Sequence, residues 1–222
     1  MDNGSASVGR KLGDQEFYST IYPRFCAVPG DFRRQGVLSR FAHIAPRIEV
    51  KCGDRLLEVG CDSGQMLRLF EEKGAECHGI DLSADAVARA NHPRIKEGSA
   101  TELPFGDAEF DICVSSHVIE HLEDPSVLLS EAYRVLKPGG VLALLYPWEP
   151  FRGLTVIPAL VANGQMPWPS SLARIHRHLI TPAVVRTLAA PMGWQETDSG
   201  SFWPFPYVVP QYHSVLRKPA SS

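Results

Sequence analysis

Arg55-Leu-Leu-Glu58-Val-Gly60-Cys61-Asp62-Ser-Gly64 joins a short apolar run to a glycine-bearing turn, and Asp81 closes a second apolar run downstream. Glycines in such a turn let the backbone approach a ligand closely, and N–H groups at the start of the next helix favour a carboxylate or other anion. An acid about 20 residues further on, at the tip of the next strand, is placed to accept hydrogen bonds from a ribose diol. The chemistry suggested is the grip of a nucleoside cofactor. Asp62 stands in the middle of the turn, where a glycine is expected.

These residues need strands and helices to aim them, and the chain supplies an alternation of the two. Strands are expected at Arg55–Val59, Cys77–Asp81, Ile95–Glu97, Phe110–Ser116 and Val141–Tyr146, with two more at Gln195–Phe202 and Tyr212–Arg217. The intervening helices are read at Gln65–Lys73, stopped by Gly74, and from the Ser83 cap through Ala90. A third runs from the Asp124-Pro125 cap to Leu136, where Lys137-Pro-Gly-Gly ends it. Thr181-Pro182 opens a last one, to about Pro191.

The expected organisation is one α/β domain in four regions. Residues 1–50 form a helical prelude broken by Pro23, Pro29 and Pro46; 51–147 form the cofactor-binding core. Residues 148–179 form an insertion of lid type, since regular patterning lapses there for far longer than a normal connection. Residues 180–222 complete the sheet.

Composition narrows the classes. The net charge is −3 and basic residues do not cluster, so no footprint for nucleic acid or anionic lipid is present. The five cysteines, 26, 52, 61, 77 and 113, form no CxxC pair, which suits a reducing, cytoplasmic setting. No run approaches about 18 consecutive apolar residues, so no membrane span is expected.

Three further segments extend the site. Gly98-Ser99-Ala100-Thr101-Glu-Leu-Pro-Phe105 follows the third strand and could flank an adenine. Phe110-Asp-Ile-Cys-Val-Ser-Ser116-His117-Val-Ile-Glu120-His121-Leu122 leaves the fourth, and Leu136-Lys-Pro-Gly-Gly140 precedes the fifth. With these in order from about Arg55 to Tyr146, the chain resembles the class I S-adenosylmethionine-dependent methyltransferases, in the type 11-like group of small-molecule methylases. Arg177-His178-Leu-Ile-Thr-Pro resembles the stretch that precedes that group's penultimate helix.

The resemblance implies a Rossmann-like, doubly wound, three-layer α/β/α fold. Its seven-stranded, mostly parallel sheet has the order 3-2-1-4-5-7-6, with strand 7 antiparallel. It implies S-adenosylmethionine as cofactor, S-adenosylhomocysteine as product and a small organic acceptor. Glu58, Gly60, Cys61, Asp62 and Gly64 fall in the loop under the methionine part. Asp81 falls on the ribose hydroxyls and Leu82 on the adenine face. Ser99, Ala100 and Thr101 fall at the adenine, and Ser116 and His117 at the exit of strand four, where a backbone carbonyl meets the methionine ammonium. The family's middle glycine is Asp62 here, and its usual acid before Ala100 is Ser99.

The same residues admit other chemistry. His117-Val-Ile-Glu120-His121 spells the HxxEH zinc-peptidase pattern, but it follows a buried strand and no third ligand is evident, so no metal is expected. His117 is a candidate general base for an acceptor that must lose a proton, against a histidine that is merely hydrogen-bonded beside the cofactor. His176 and His178, with Arg174 and Arg177, are candidates to meet an anionic substrate, against solvated loop charges. Trp148, Phe151, Trp168 and Phe202 are candidates for an apolar substrate wall, and Tyr18 and Tyr22 for a cover over the cofactor. A nicotinamide-dependent oxidoreductase is the less favoured enzyme class, because G-x-G-x-x-G meets Asp62 and Gln65 at its second and third glycines. A catalytically idle, methylase-like binding domain is the other alternative, raised by Asp62 and Ser99. A monomer or homodimer is expected.

Overall fold

The computed structural model describes residues 30–150, 157, 176–205 and 210–220. Five short strands run parallel: β1 (Arg55–Val59), β2 (Glu76–Asp81), β3 (Ile95–Glu97), β4 (Phe110–Ser116) and β5 (Leu136–Pro147). Two C-terminal strands, β6 (Gln195–Phe202) and β7 (Gln211–Arg217), complete a seven-stranded sheet of order β3-β2-β1-β4-β5-β7-β6. β7 runs antiparallel to both β5 and β6. The expected fold and strand order are those observed.

Both faces of the sheet are covered, and the strand sequences show why. On β1, Leu56 and Leu57 point to opposite faces; on β5, Leu142 and Leu144 face one side while Ala143 and Leu145 face the other. One face packs against α4 (Pro125–Val135) and α5 (Pro182–Ala189), through Leu128, Leu129, Ala132, Val185 and Ala189. The other packs against α1 (Gly30–Ile48) and α2 (Gln65–Glu71), through Ile44, Ile48, Met66, Leu67 and Phe70. α3 (Ala84–Ala90) lies along β2 and β3 on that second face and adds Ala90 to its core.

The caps read from sequence are the ones in use. Ser83 Oγ accepts from Ala86 N at 3.3 Å, Asp124 Oδ1 from Ser126 N at 2.9 Å and Thr181 Oγ1 from Val184 N at 3.3 Å.

Two boundaries differ from expectation. Pro46 does not break the prelude: α1 continues to Ile48, and the burial of Ile44, Ala45 and Ile48 holds its last turn despite the lost N–H donor. The stop at Lys137-Pro-Gly-Gly is not a loop outside the sheet. β5 begins at Leu136, which pairs with Phe110, and the register then shifts so that Val141 pairs with Ile112. Lys218 Nζ donates to Tyr133 O and Leu136 O, both at 2.8 Å, and so serves the orphan carbonyls at the end of α4. Smaller differences are helix ends at Glu71, Val135 and Ala189 and strand starts at Glu76 and Gln211, one or two residues from expectation, where terminal turns tighten or fray.

No described helix is long and apolar enough to cross a membrane.

Candidate functional site

The carboxyl ends of β1, β2, β3 and β4 open onto a cavity of about 630 Å³. Here the chain turns from the β1–β2–β3 half of the sheet to the β4–β5 half, so the connecting loops diverge and leave a crevice.

The turn after β1 starts with Gly60, whose N–H and that of Cys61 both donate to Ile80 O, at 2.8 and 2.9 Å. Gly60 has φ +75°, and a Cβ there would stand 2.3 Å from Val118 Cγ2, so only glycine fits this approach of the β1 and β4 exits. Asp62 follows at φ +45°, a left-handed conformation that a short polar side chain tolerates better than most. Its backbone N–H donates to Asp81 Oδ2 at 2.8 Å, while Ser83 N donates to Asp81 Oδ1 at 2.9 Å. The Asp81 carboxylate is thereby locked in one orientation at the tip of β2. Burial raises its pKa from the ordinary value, opposed by those two backbone donors.

Asp62 lines the cavity and is not a bare charge. Its Oδ2 lies 2.9 Å from Arg33 Nη1 on α1, and its Oδ1 lies 3.3 Å from Arg89 Nη2 on α3. Glu58 lies beneath the turn, buried, and is not part of the cavity wall. Burial pushes its carboxyl up to about 8, against a hydrogen bond from the Leu67 backbone and the charge of Arg40. Cys61 and Gly64 likewise sit behind the wall. Cys61 is buried, which drives its thiol pKa upward, and a Cβ at Gly64 would meet Ile95 Cδ1 at 2.6 Å.

The expected wall residues Gly60, Asp62, Asp81, Leu82, Ser99, Ala100, Thr101, Ser116 and His117 do line the cavity together. Ser99 Oγ is 2.7 Å from Thr101 Oγ1 and also accepts from Thr101 N at 3.2 Å, so the serine at the family's acid position is spent partly on its own loop. The wall also holds Gly98, Val118, His121 and Leu122, from the segments expected to extend the site, and Ile80, Ser83, Ala86, Arg89, Glu123, Asp124 and Val127, which sequence reasoning did not assign to it. Their signal was present in part: the Asp124-Pro125 cap starts α4 immediately after the β4 exit, so that helix had to begin at the rim.

His117 has φ +59°, and its Nδ1 donates to Glu120 Oε1 at 3.2 Å. Glu120 is 1% exposed. Burial alone would raise its pKa, but the hydrogen bond from His117 and the charges of His121, His117 and His176 bring it down to about 2. His176 Nδ1 lies 2.8 Å from Glu149 Oε2, a pair almost fully buried. Burial works to lower the His176 pKa, yet the Glu149 hydrogen bond and the charges of Glu120 and Glu149 raise it.

Possible ligand atoms of Glu120, His121 and His176 lie within 4.8 Å of one another. His176 thus brings a third side chain to the HxxEH segment. All three already have partners: Glu120 Oε1 with His117, His176 Nδ1 with Glu149, and His121, whose Nε2 lies 3.9 Å from Glu120 Oε1 and whose ring meets that of His176 edge-on.

Arg177 N donates to Glu120 O at 2.9 Å and His178 Nε2 pairs with Glu123 O at 3.1 Å, so residues 176–178 are strapped to the β4 exit. Neither His176, His178 nor Trp148 lines the cavity. Phe202 stacks on His43 instead, with ring centroids 3.7 Å apart. Tyr18, Tyr22, Phe151, Trp168 and Arg174 lie outside the described residues.

Residues 57–144 match the methyltransferase domain model. The chain is 39% identical over 122 residues to a Mycolicibacterium smegmatis protein named "Probable S-adenosylmethionine-dependent methyltransferase", covering 52% of this chain and 45% of that one. It is 34% identical over 112 residues to the 27-O-demethylrifamycin SV methyltransferase of Amycolatopsis mediterranei, covering 46% and 41%. The chain thus spans less than half the length of these curated relatives. In fold it is similar to a solved protein of Pyrococcus horikoshii, with a TM-score of 0.67 at 18% identity over 93% of this chain and all of that one.

Proposed function

We propose that this chain, whose core is a class I S-adenosylmethionine-dependent methyltransferase domain of the type 11 group, transfers a methyl group to a small organic acceptor. The observation that carries the reading is the Asp81 carboxylate, fixed by the N–H groups of Asp62 and Ser83 at the rim of a cavity of about 630 Å³. That volume falls within the range of cofactor sites, and the glycine approach at Gly60 leaves the backbone free to lie against a ligand.

S-adenosylmethionine supplies an activated methyl on a sulfonium, so the protein's share is binding, alignment and exclusion of water. Asp81 would accept from the ribose hydroxyls, Leu82 would cover the adenine, and Ser99, Ala100 and Thr101 would flank it. The Gly60–Gly64 turn underlies the methionine part, with Glu58 and Cys61 supporting it from behind, and the Ser116 carbonyl meets the ammonium. An acceptor that carries a proton loses it, and His117 is the side chain proposed to take it. Trp148, His176, His178 and, outside the described residues, Tyr22 and Phe151 belong to the segments proposed to enclose the acceptor.

Asp62 raised the possibility of an idle domain. Its pairing with Arg33 and Arg89 removes the electrostatic objection to cofactor binding. The protein is further proposed to be cytoplasmic, a reducing setting that the free Cys52, Cys61, Cys77 and Cys113 suit, and to act as monomer or homodimer.

Calorimetry with S-adenosylhomocysteine and with NAD(H) tests the cofactor class. Binding of the first alone is expected; binding of NAD(H) alone would sink the proposal.

A further inference from the structure

We propose that Glu120, His121 and His176 hold a divalent cation of the zinc class, with His117 and Glu149 orienting the ligands from behind. The proposal goes beyond methyl transfer and does not draw on it.

The three side chains come from two segments that the backbone already holds together. Glu120 and His121 lie on the short turn from Ile119 to His121, at the exit of β4. His176 precedes α5, and Arg177 N donates to Glu120 O at 2.9 Å beside it. The possible ligand atoms stand within 4.8 Å of one another. Tetrahedral ligands at about 2.0–2.1 Å from zinc stand about 3.3 Å apart, so side-chain rotations that close the set by about 1.5 Å at most suffice.

The partners of these groups aim them and leave ligand atoms to spare. Glu120 is buried and spends Oε1 on His117, while its Oε2, also buried, has no hydrogen-bond partner among the described residues. A buried carboxylate oxygen without a donor bears its desolvation cost uncompensated, and a network of protonated imidazoles alone leaves it so. A cation at that oxygen removes the cost. His176 donates Nδ1–H to Glu149 at 2.8 Å, which directs its Nε2 lone pair away from that carboxylate. A carboxylate behind a ligating imidazole is the usual outer support of such a site. His121 Nε2 lies 3.9 Å from Glu120 Oε1, close to the spacing of two ligands on one small ion.

Ligand type selects the metal. Two imidazoles and one carboxylate suit zinc, cobalt or nickel, whereas magnesium and calcium favour oxygen ligands. The ion would staple the β4 exit to the chain entering α5, with a water completing the tetrahedron.

Zinc, cobalt(II) and magnesium chlorides are the probes, added to the full chain after chelator treatment. Calorimetry is expected to show one zinc per chain, with a higher melting temperature at saturation and no comparable response to magnesium. Cobalt(II) should give the visible absorption of a four-coordinate ion without a thiolate charge-transfer band, which excludes the cysteines. Glu149→Gln should weaken zinc about tenfold, as loss of an outer carboxylate does. His121→Gln and His176→Gln remove ligands and should weaken it further. His43→Phe alters a separate histidine pair and should bind zinc as the wild type does.

Absence of stoichiometric zinc binding by the wild type would overturn the proposal. So would a thiolate band, a preference for magnesium, or equal zinc affinity in His121→Gln and His176→Gln. If a glutamine variant fails to fold, the wild-type cobalt spectrum decides the matter without it. Zinc failure alongside normal S-adenosylhomocysteine binding would leave the methyltransferase reading standing, and the converse result would leave the metal site standing.

Discussion

The backbone N–H of Asp62 donates to Oδ2 of Asp81 at 2.8 Å, tying the turn after β1 to the tip of β2. One carboxylate therefore has two duties: it shapes the turn, and it offers its remaining lone pairs to a ligand. The sequence distance between them, 19 positions, is the length of one helix and one strand.

Asp81→Ala should weaken S-adenosylhomocysteine by about 1–3 kcal/mol through lost charge-assisted hydrogen bonds. Asp81→Asn keeps one acceptor oxygen but sets its NH2 against the other backbone N–H, so it should give up some stability yet lose less affinity than the alanine variant. Titration calorimetry on the two variants separates the ligand's share from the turn's. Unchanged affinity in both would place the ribose elsewhere.

Gly60→Ala should destabilise the fold by about 1–3 kcal/mol, because the new Cβ meets Val118 Cγ2 and the residue must keep φ +75°. Adding Val118→Ala relieves the clash but not the backbone strain, so the double variant should regain only part of the loss. Denaturant unfolding measures both steps, and full recovery would show that strain at Gly60 costs nothing.

Glu58 gives stability a downward slope with pH. Its carboxyl holds a proton in the folded state up to about 8, whereas the unfolded chain releases it near 4.5. The folded state therefore binds the extra proton between those values, and stability falls as pH rises through that window. Glu58→Gln should flatten the melting temperature between pH 5 and 8, and a wild-type slope in the variant would count against a protonated Glu58.

The contact between α1 and the C-terminal strands should be acid-sensitive. His43 stacks on Phe202 and pairs with His213 at 3.1 Å; burial, with the charges of Arg47 and His213, lowers its pKa to about 4. The unfolded chain takes up this proton from near 6.5, so stability is present above that value and is lost as pH falls toward 4. His43→Phe keeps a ring against Phe202 and removes the titration. Thermal melts from pH 7 to 4 should then show a shallower decline; an identical decline would assign the acid sensitivity to other groups.

What the sequence makes legible is what is local. The β1 turn, the acid ending β2 and the Ser83, Asp124 and Thr181 caps each lie within a few residues of their signal, and each is found in place. The partners of Asp62 were not legible, because Arg33 is 29 positions before it and Arg89 is 27 after, and nothing in composition links them. Pro46 and Lys137-Pro-Gly-Gly misled for the same reason. Proline and glycine report local backbone preference, while burial of α1 and pairing of Leu136 with Phe110 are tertiary facts that outweigh it. Ser116 and His117 could be assigned to the cavity through the family resemblance at the strand exit, whereas Glu120 as the buried partner of His117 needed the short turn from Ile119 to His121 to be seen.

Glu149 and His176 touch at 2.8 Å although they stand 27 positions apart. The two ends of the intervening stretch are pinned, with Trp148 N bonded to Pro210 O on one side and Arg177 N to Glu120 O on the other. Closing a longer or shorter loop across fixed ends changes chain entropy only logarithmically. Length and composition in that stretch can therefore drift without disturbing the sheet or the cofactor end of the cavity. The stretch between Glu149 and His176 is therefore a natural unit to exchange for a relative's, and the melting temperature of such a graft measures how well the pinned ends tolerate it.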